Sequence, residues 1–153
     1  RQRQMCIRDS PEAEFCFLYP AGMHALAPGH GIGGSSPAAV YSAPFDHGPE
    51  PLAISMNITD LGPANGRSAQ DIANERIAQM GGQFGESVEI GGETAVVLDD
   101  VPGMIPLREL LVIHNDQIYL FQFAPDGYTT PITMPTLDTL YETVINSFTF
   151  INS

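Results

Sequence analysis

Two tight turns between apolar runs constrain the fold of this chain most strongly. The dipeptides Gly91-Gly92 and Asn115-Asp116 each separate a pair of strand-like segments. The flanking segments are 86–90, 93–99, 107–114 and 117–124. Two-residue loops of these residue types are typical of β-hairpins, because they tolerate the positive φ angles that such turns require. The sequence therefore predicts two hairpins in the second half of the chain.

Other strands are indicated by composition and alternation. Residues 52–59 alternate apolar and small or polar side chains, which indicates a strand with one covered face. The run 110–113 is apolar at every position, which is typical of a central strand covered on both faces. Segments 15–19 and 38–43 are predicted as further strands, and 23–37 and 60–67 as loops.

Two segments have the spacing of amphipathic helices. Ser68 is placed to cap the first helix, with Asp71 three residues later in a variant of the capping box, and Gly81-Gly82 ends it. Its apolar stripe is Ala69, Ile72, Ala73, Ile77 and Met80. The stripe of the second helix is Leu137, Leu140, Tyr141, Val144, Ile145 and Phe148. Residues 148–151 either continue this helix or form a short closing strand.

These elements predict an α+β fold, with a mainly antiparallel sheet of about six strands and two main helices packed on it. With 153 residues, the chain has the length of one domain. We assign that domain to residues 11–153. Residues 1–10 share no pattern with the rest, hold three of the six arginines and resemble translated sequencing-adapter sequence. We expect this segment to be artefactual or disordered and exclude it from the fold prediction. The alternative is a genuine basic N-terminal arm.

The charge is strongly acidic. The formal net charge is −12 with no lysine, and without residues 1–10 three arginines stand against seventeen acidic residues. Such a surface repels phosphate backbones and anionic lipids, so we expect no nucleic-acid partner. It favours cationic partners, divalent ions or a salty medium, although acidity also simply aids solubility. No apolar run approaches the roughly 18 residues of a membrane span, so we expect no membrane insertion.

The cysteines and histidines offer few reactive groups. With residues 1–10 excluded, Cys16 is the one remaining cysteine, and we predict a buried, inert thiol. His24, His30 and His47 lie in predicted loops, and Asp46 adjoins His47. If these four side chains converge they form a metal site, and if they splay apart they are solvated loop residues. His114 is predicted to be a turn residue without a functional role.

No catalytic set is recognisable. Residues 29–34 are rich in glycine but lack the lysine of a phosphate-binding loop and open no helix. Asp99-Asp100 is predicted to be a pair of ordinary solvated turn acids. We therefore predict no enzyme, no cofactor and no catalytic, cofactor-binding or metal-binding residue. The apolar loops 104–106 and 132–135 either project outward as a partner-binding patch or tuck over the sheet edge.

Several segments resemble PsbP-like domains, whose fold is shared with the Mog-type Ran-binding protein. The resemblance covers residues 15–151, through the opening strand and turn, both hairpins and the closing helix. Its segments are Phe15-Cys16-Phe17-Leu18-Tyr19-Pro20-Ala21-Gly22, Ile90-Gly91-Gly92-Glu93-Thr94-Ala95-Val96-Val97, residues 108–123 and the run 140–150. These motifs are structural and imply no catalytic residues.

The resemblance also carries expectations about function and location. It implies a small secreted protein or lipoprotein of bacterial type, while in plants and cyanobacteria the fold serves as an accessory subunit of photosystem II. We therefore expect a non-enzymatic binding or accessory domain outside the cytoplasm, with a protein partner at the cell envelope and a leader peptide missing from this sequence. The alternative is a metal-binding protein or metal-dependent enzyme using the loop histidines. Oligomeric state is left open.

Overall fold

A computed structural model describes residues 2–7, 14–26, 38–41, 54–102, 106–124 and 134–151. The helices are α1 (Ala69–Met80) and α2 (Met134–Ser147). The strands are β1 (Gln2–Ile7), β2 (Phe15–Pro20), β3 (His24–Leu26), β4 (Ala38–Tyr41), β5 (Ser55–Pro63), β6 (Gln83–Phe84), β7 (Val88–Ile90), β8 (Glu93–Val101), β9 (Leu107–His114), β10 (Gln117–Ala124) and β11 (Thr149–Phe150). None of the helices in the described ranges has the length and apolarity that crossing a membrane requires.

The strands form two antiparallel sheets. In the large sheet the order is β3-β4-β5-β10-β9-β8-β6, with β7 also paired to β8, and the small sheet has the order β1-β2-β11. The α+β class with two helices and antiparallel pairing is therefore confirmed. The number of strands is not: the described residues contain eleven rather than about six. Three strands were missed. β1 lies in the excluded segment 1–10, and β3 shows that the predicted loop 23–37 is wrong at its start. β3 and β6 have three and two residues, too few to show alternation, and exist because a neighbour pairs with them.

Both predicted hairpins are present. Across Asn115-Asp116, Gln117 pairs with His114, and across Gly91-Gly92, Ile90 pairs with Glu93. All four turn residues have positive φ, between 50° and 82°. The alternating strand lies next to the second hairpin, since β5 runs antiparallel to β10. The second hairpin and β5 thus form the centre of the large sheet, and the first hairpin lies towards its β8 side.

Helices cover the two faces of this sheet. Ile72 and Ala73 of α1 pack with Leu111, whereas Leu140 of α2 packs with Leu110 and Val112. The predicted double coverage of the central strand is confirmed, because Leu111 packs on the α1 side of the sheet while Leu110 and Val112 pack on the α2 side. We call the apolar residues that pack with Ile72 and Ala73 the α1-side core, and those that pack with Leu140 the α2-side core. The predicted α1 stripe is covered as far as Ile77, which is half-buried against the α1-side core, whereas Met80 at its far end is 42% exposed.

The start of α1 follows the predicted capping box. Asp71 N–H donates to the Ser68 hydroxyl and Ser68 N–H donates to the Asp71 carboxylate, each at 3.1 Å. The donation from the Ser68 backbone lowers the pKa of Asp71 below its ordinary value of 3.8, because the bond stabilises the ionised carboxylate. After α2 the chain forms the short strand β11, which decides between the two alternatives for residues 148–151.

The prediction of a free Cys16 is wrong. Cys6 and Cys16 form a disulfide, and they face each other in the register of β1 and β2. Cys16 is also only half-buried. The error follows from excluding residues 1–10, since that exclusion removed the partner cysteine. Residues 2–7 form a strand at the edge of the small sheet. The artefactual origin of residues 1–10 stays a prediction, because it concerns the coding sequence and not the fold.

Substitution of the two hairpin glycines by alanine is expected to have unequal effects. Both have positive φ, so alanine at Gly92, where an added Cβ meets nothing within 4 Å, should cost about 1 kcal/mol. At Gly91 the same atom would lie 2.8 Å from the Phe150 ring. Overpacking then adds about 1–3 kcal/mol to the loss for Gly91→Ala. Urea denaturation of both variants measures the difference, and equal losses would contradict the close packing of Phe150 on this turn.

Candidate functional site

A β-bulge shapes one end of the large sheet. Tyr119 pairs with Asp60 and Ile118 pairs with Gly62, so Leu61 is an extra residue in β5. Gly62 has a φ of 93°, and Leu61 is 41% exposed. The predicted loop beginning at residue 60 is therefore wrong at its start, since the ladder continues to Pro63. The bulge arises from register with β10, which single-strand alternation does not reveal.

Beside the bulge lies an open cleft of about 470 Å³, which we call the Asp60 cleft. It is lined by Asp60, Gly62, Pro63 and Gln117. One carboxylate oxygen of Asp60, Oδ1, accepts from Gly62 N–H at 2.8 Å and from Gln117 Nε2 at 2.6 Å. These bonds fix the carboxylate at the wall of a solvent-accessible depression.

The adjacent turn is tied to the second hairpin. Ala64 N–H donates to the Asp116 carbonyl at 2.7 Å. The Asp116 carboxylate accepts from Asn65 N–H at 3.3 Å and from Gly66 N–H at 3.2 Å. Asn65 and Asp116 both have positive φ, a conformation that Asn and Asp tolerate better than most residues. The segment that follows the cleft is thus fixed by several hydrogen bonds to the hairpin.

All three arginines of residues 11–153 contact carboxylates of the same chain. Arg67 pairs with Glu75 at 3.2 Å, and Arg108 pairs with Asp99 at 2.9 Å. Arg76 contacts Glu109 through two bonds of 2.8 Å. Because the domain's basic side chains are engaged in this way, its excess of negative charge determines the field that a partner meets.

Glu109 is the fully buried acidic residue of the described chain. It lies on β9 and accepts from Arg76 of α1 and, at 2.8 Å, from Gln122 Nε2 on β10. The sequence interpretation missed this network, although a glutamate beside the apolar run 110–113 was a signal that a buried charge needs a partner. We assign it a structural role, because its buried carboxylate accepts hydrogen bonds from Arg76 and Gln122 within the fold.

His114 and the Asp99-Asp100 pair are more engaged than predicted. His114 Nδ1 lies 2.7 Å from a Glu93 oxygen, and its ring stacks on Phe150 with centroids 3.8 Å apart. It is therefore a half-buried packing residue. Asp99 pairs with Arg108, and Asp100 accepts from Gln83 Nε2 at 2.8 Å, so the prediction of ordinary solvated turn acids is wrong.

The proposed metal ligands are only partly described. His24 is exposed on β3 and stacks on Tyr41, with ring centroids 5.3 Å apart. His30, His47 and Asp46 lie outside the described residues, as do the glycine-rich run 29–34 and the apolar segments 104–105 and 132–133. Within the described ranges, no group of three or more His, Cys, Asp or Glu side chains is arranged to hold a metal ion.

Comparisons with known proteins give one structural similarity. No protein-family model matches the chain, and no curated protein matches it. The chain is similar to the solution structure of cyanobacterial PsbP (CyanoP) from Synechocystis sp. PCC 6803, with a TM-score of 0.47 and 15% sequence identity. The alignment covers 96% of this chain and 92% of that chain. At this identity, function has to be argued from the chain's own residues.

Proposed function

We propose that this chain is a non-catalytic binding or accessory domain that acts outside the cytoplasm. Its Asp60 cleft receives a positively charged group, an ammonium or a guanidinium, from a protein partner at the cell envelope. The observation that carries this proposal is the Asp60 carboxylate, which is held at the cleft wall by two donors.

The hydrogen bonding of Asp60 suits a cationic ligand. Both intrachain donors go to Oδ1, so among the described residues Oδ2 receives no donated bond. The carboxylate is therefore oriented before binding, which reduces the entropy lost when a ligand is ordered. A charged hydrogen bond from an incoming ammonium or guanidinium is stronger than a neutral one.

The charge distribution supports the same ligand class. Arg67, Arg76 and Arg108 are paired within the chain, and the acidic residues outnumber them by fourteen after residue 10. A field of this sign accelerates the approach of cationic surfaces and rejects anionic ones. Partner recognition of this kind is expected to weaken as salt concentration rises.

Two considerations support a location outside the cytoplasm. The resemblance to PsbP-like domains implies secreted or lipid-anchored proteins, and disulfides such as Cys6–Cys16 form and persist in oxidising compartments. The disulfide includes Cys6 of the segment 1–10, whereas the resemblance is carried by residues 15–151 and is independent of that segment.

Asp60→Asn is expected to weaken partner binding about tenfold. Asparagine keeps the shape and the Oδ1 acceptor but removes the charge, and a hydrogen bond to a charged group contributes roughly 1.5–3 kcal/mol. The measurement is quantitative recovery of proteins from bacterial envelope extracts on the immobilised chain, at low and high salt. Specific recovery should fall in the variant and at high salt.

The matched control is Asp138→Asn, which removes one exposed carboxylate from α2, away from the residues lining the cleft. It should recover the partner as the unchanged chain does. Equal recovery by the Asp60 and Asp138 variants would show that the Asp60 cleft does not bind the partner. Recovery no greater than on resin carrying no protein would contradict the binding function itself.

A further inference from the structure

The large sheet ends at β6, where apolar side chains face solvent. Phe84 of β6 pairs with Leu98 of β8, and Leu98 belongs to the α1-side core. Side chains of directly paired residues share a face of the sheet, so Phe84 lies on the α1 face. Met80 ends α1, four residues earlier in the chain. We call Met80, Phe84 and their acidic neighbours Glu86 and Asp100 the β6 edge surface.

The β6 edge surface contains two large apolar side chains that are exposed to solvent. Phe84 is 49% exposed and Met80 is 42% exposed. The other large apolar side chains exposed in the described residues are Leu61 and Ile151, which lie on other elements. A single exposed apolar residue needs no explanation, but these two lie four residues apart beside a sheet edge and offer apolar area to a partner.

The connection between α1 and β6 is closely packed. Gly81 N–H donates to the Ile77 carbonyl at 2.9 Å, and Gly85 N–H donates to the Val97 carbonyl at 2.9 Å. A Cβ on Gly82 would lie 3.2 Å from the Asp99 carbonyl oxygen. Since glycines on both sides of β6 lie this close to β8, the edge is held in place before any partner arrives.

The charges around this surface are negative. The last turn of α1 contains no basic residue, so the partial negative charge of the helix C-terminus is not offset there. Asp100 and Glu86 are both exposed, and Asp100 accepts from Gln83 Nε2 at 2.8 Å. Arg76 reaches the Met80 sulfur at 3.6 Å but is committed to Glu109 by two shorter bonds.

We propose that the β6 edge surface binds an extended segment of a partner protein in which apolar and basic side chains alternate. Such a segment can add to a sheet edge as a further strand, with its main chain giving affinity and alternate side chains giving specificity. Its apolar side chains cover Phe84 and Met80 on the α1 face. Its basic side chains point to the opposite face, where Gln83, the residue before Phe84 on β6, contacts the Asp100 carboxylate. A second copy of this chain fits less well, because two strongly acidic molecules repel each other.

This inference rests on the proposed binding function and assigns it a second contact surface. The test uses two labelled, acetylated heptapeptides, one alternating lysine with leucine and one alternating lysine with serine, so that both carry equal charge. Fluorescence anisotropy gives the dissociation constants. The unchanged chain should bind the lysine–leucine peptide about tenfold more tightly, because only this peptide can cover the apolar side chains.

Phe84→Ser should abolish that tenfold preference, whereas Ile151→Ser, which removes a side chain of 39% exposure elsewhere, should leave it unchanged. Asp100→Asn removes the charge at a position with a φ of 52°, which asparagine tolerates, and should weaken binding of both peptides. Near-ultraviolet circular dichroism of each variant confirms that the fold is retained.

The other outcomes separate the two proposals. Loss of binding in Asp60→Asn but not in Phe84→Ser would overturn the edge surface and leave the Asp60 cleft as the contact. Equal affinity of the unchanged chain for the two peptides would also overturn the edge surface. Dimerisation that Phe84→Ser abolishes, measured by sedimentation, would identify a second copy as the occupant and overturn the proposed partner. Absence of binding to either peptide and to envelope proteins would contradict both proposals.

Discussion

Replacement of Arg76 by methionine is expected to lower the free energy of unfolding by about 3–5 kcal/mol, because it leaves a buried carboxylate without its cationic partner. Glu109 is 0% exposed, and Arg76 supplies two of the donors that compensate its desolvation. Gln122 alone would remain as a side-chain donor, and an amide does not neutralise the charge. Urea denaturation of the purified variant measures the loss.

The double variant Arg76→Met with Glu109→Leu is the informative control. Removing both charges also removes the cost of burying one of them, so most of the lost stability should return. The position of Glu109 beside the apolar residues of β9 makes a leucine there compatible with the α1-side core. A loss below about 1 kcal/mol for Arg76→Met would show that Glu109 is solvated, contrary to the structure.

Phe148→Ala should also cost about 3–5 kcal/mol, the usual range for truncating a buried phenylalanine. The Phe148 ring lies between the two sheets, with ring centroids 5.0 Å from Phe15, 6.3 Å from Phe17, 5.1 Å from Phe121 and 4.9 Å from Phe150. Its removal leaves a cavity bordered by both the small and the large sheet. The closing strand after α2 should therefore loosen together with the α2-side core.

Phe84→Ala serves as the matched control for this truncation. The same atoms are removed, but Phe84 is 49% exposed and the variant should lose less than about 1 kcal/mol. Thermal unfolding of both variants under one set of conditions gives the comparison. If the two losses were similar, Phe148 would not be the packing centre that its contacts indicate.

The parts of the fold that are specified locally were predictable from the sequence. The turn dipeptide Asn115-Asp116 and the capping pair of Ser68 and Asp71 each act over a few residues, and the structure contains both as predicted. The double coverage of β9 was also predictable, because an uninterrupted apolar run leaves neither face for solvent.

Features that depend on distant partners were not predictable. β6 exists because Gln83 and Phe84 pair with β8, and nothing in two residues signals a strand. The partner of Glu109 lies 33 residues away on another element, and the phenylalanine stacked on His114 comes from the far end of the chain. The Asp60 cleft is of the same kind, since it follows from a register shift between β5 and β10.

The most direct test of the Asp60 cleft is a nuclear magnetic resonance titration of the isotopically labelled chain with an acetylated Gly-Lys-Gly amide. The control ligand is the same peptide with its lysine side chain acetylated, which removes the positive charge. We predict that the amide signals of Gly62 and Gln117 shift with the charged peptide and not with the control, and that Asp60→Asn abolishes the shift. Equal shifts with both peptides, or shifts confined to other parts of the chain, would contradict the cleft as a site for cationic groups.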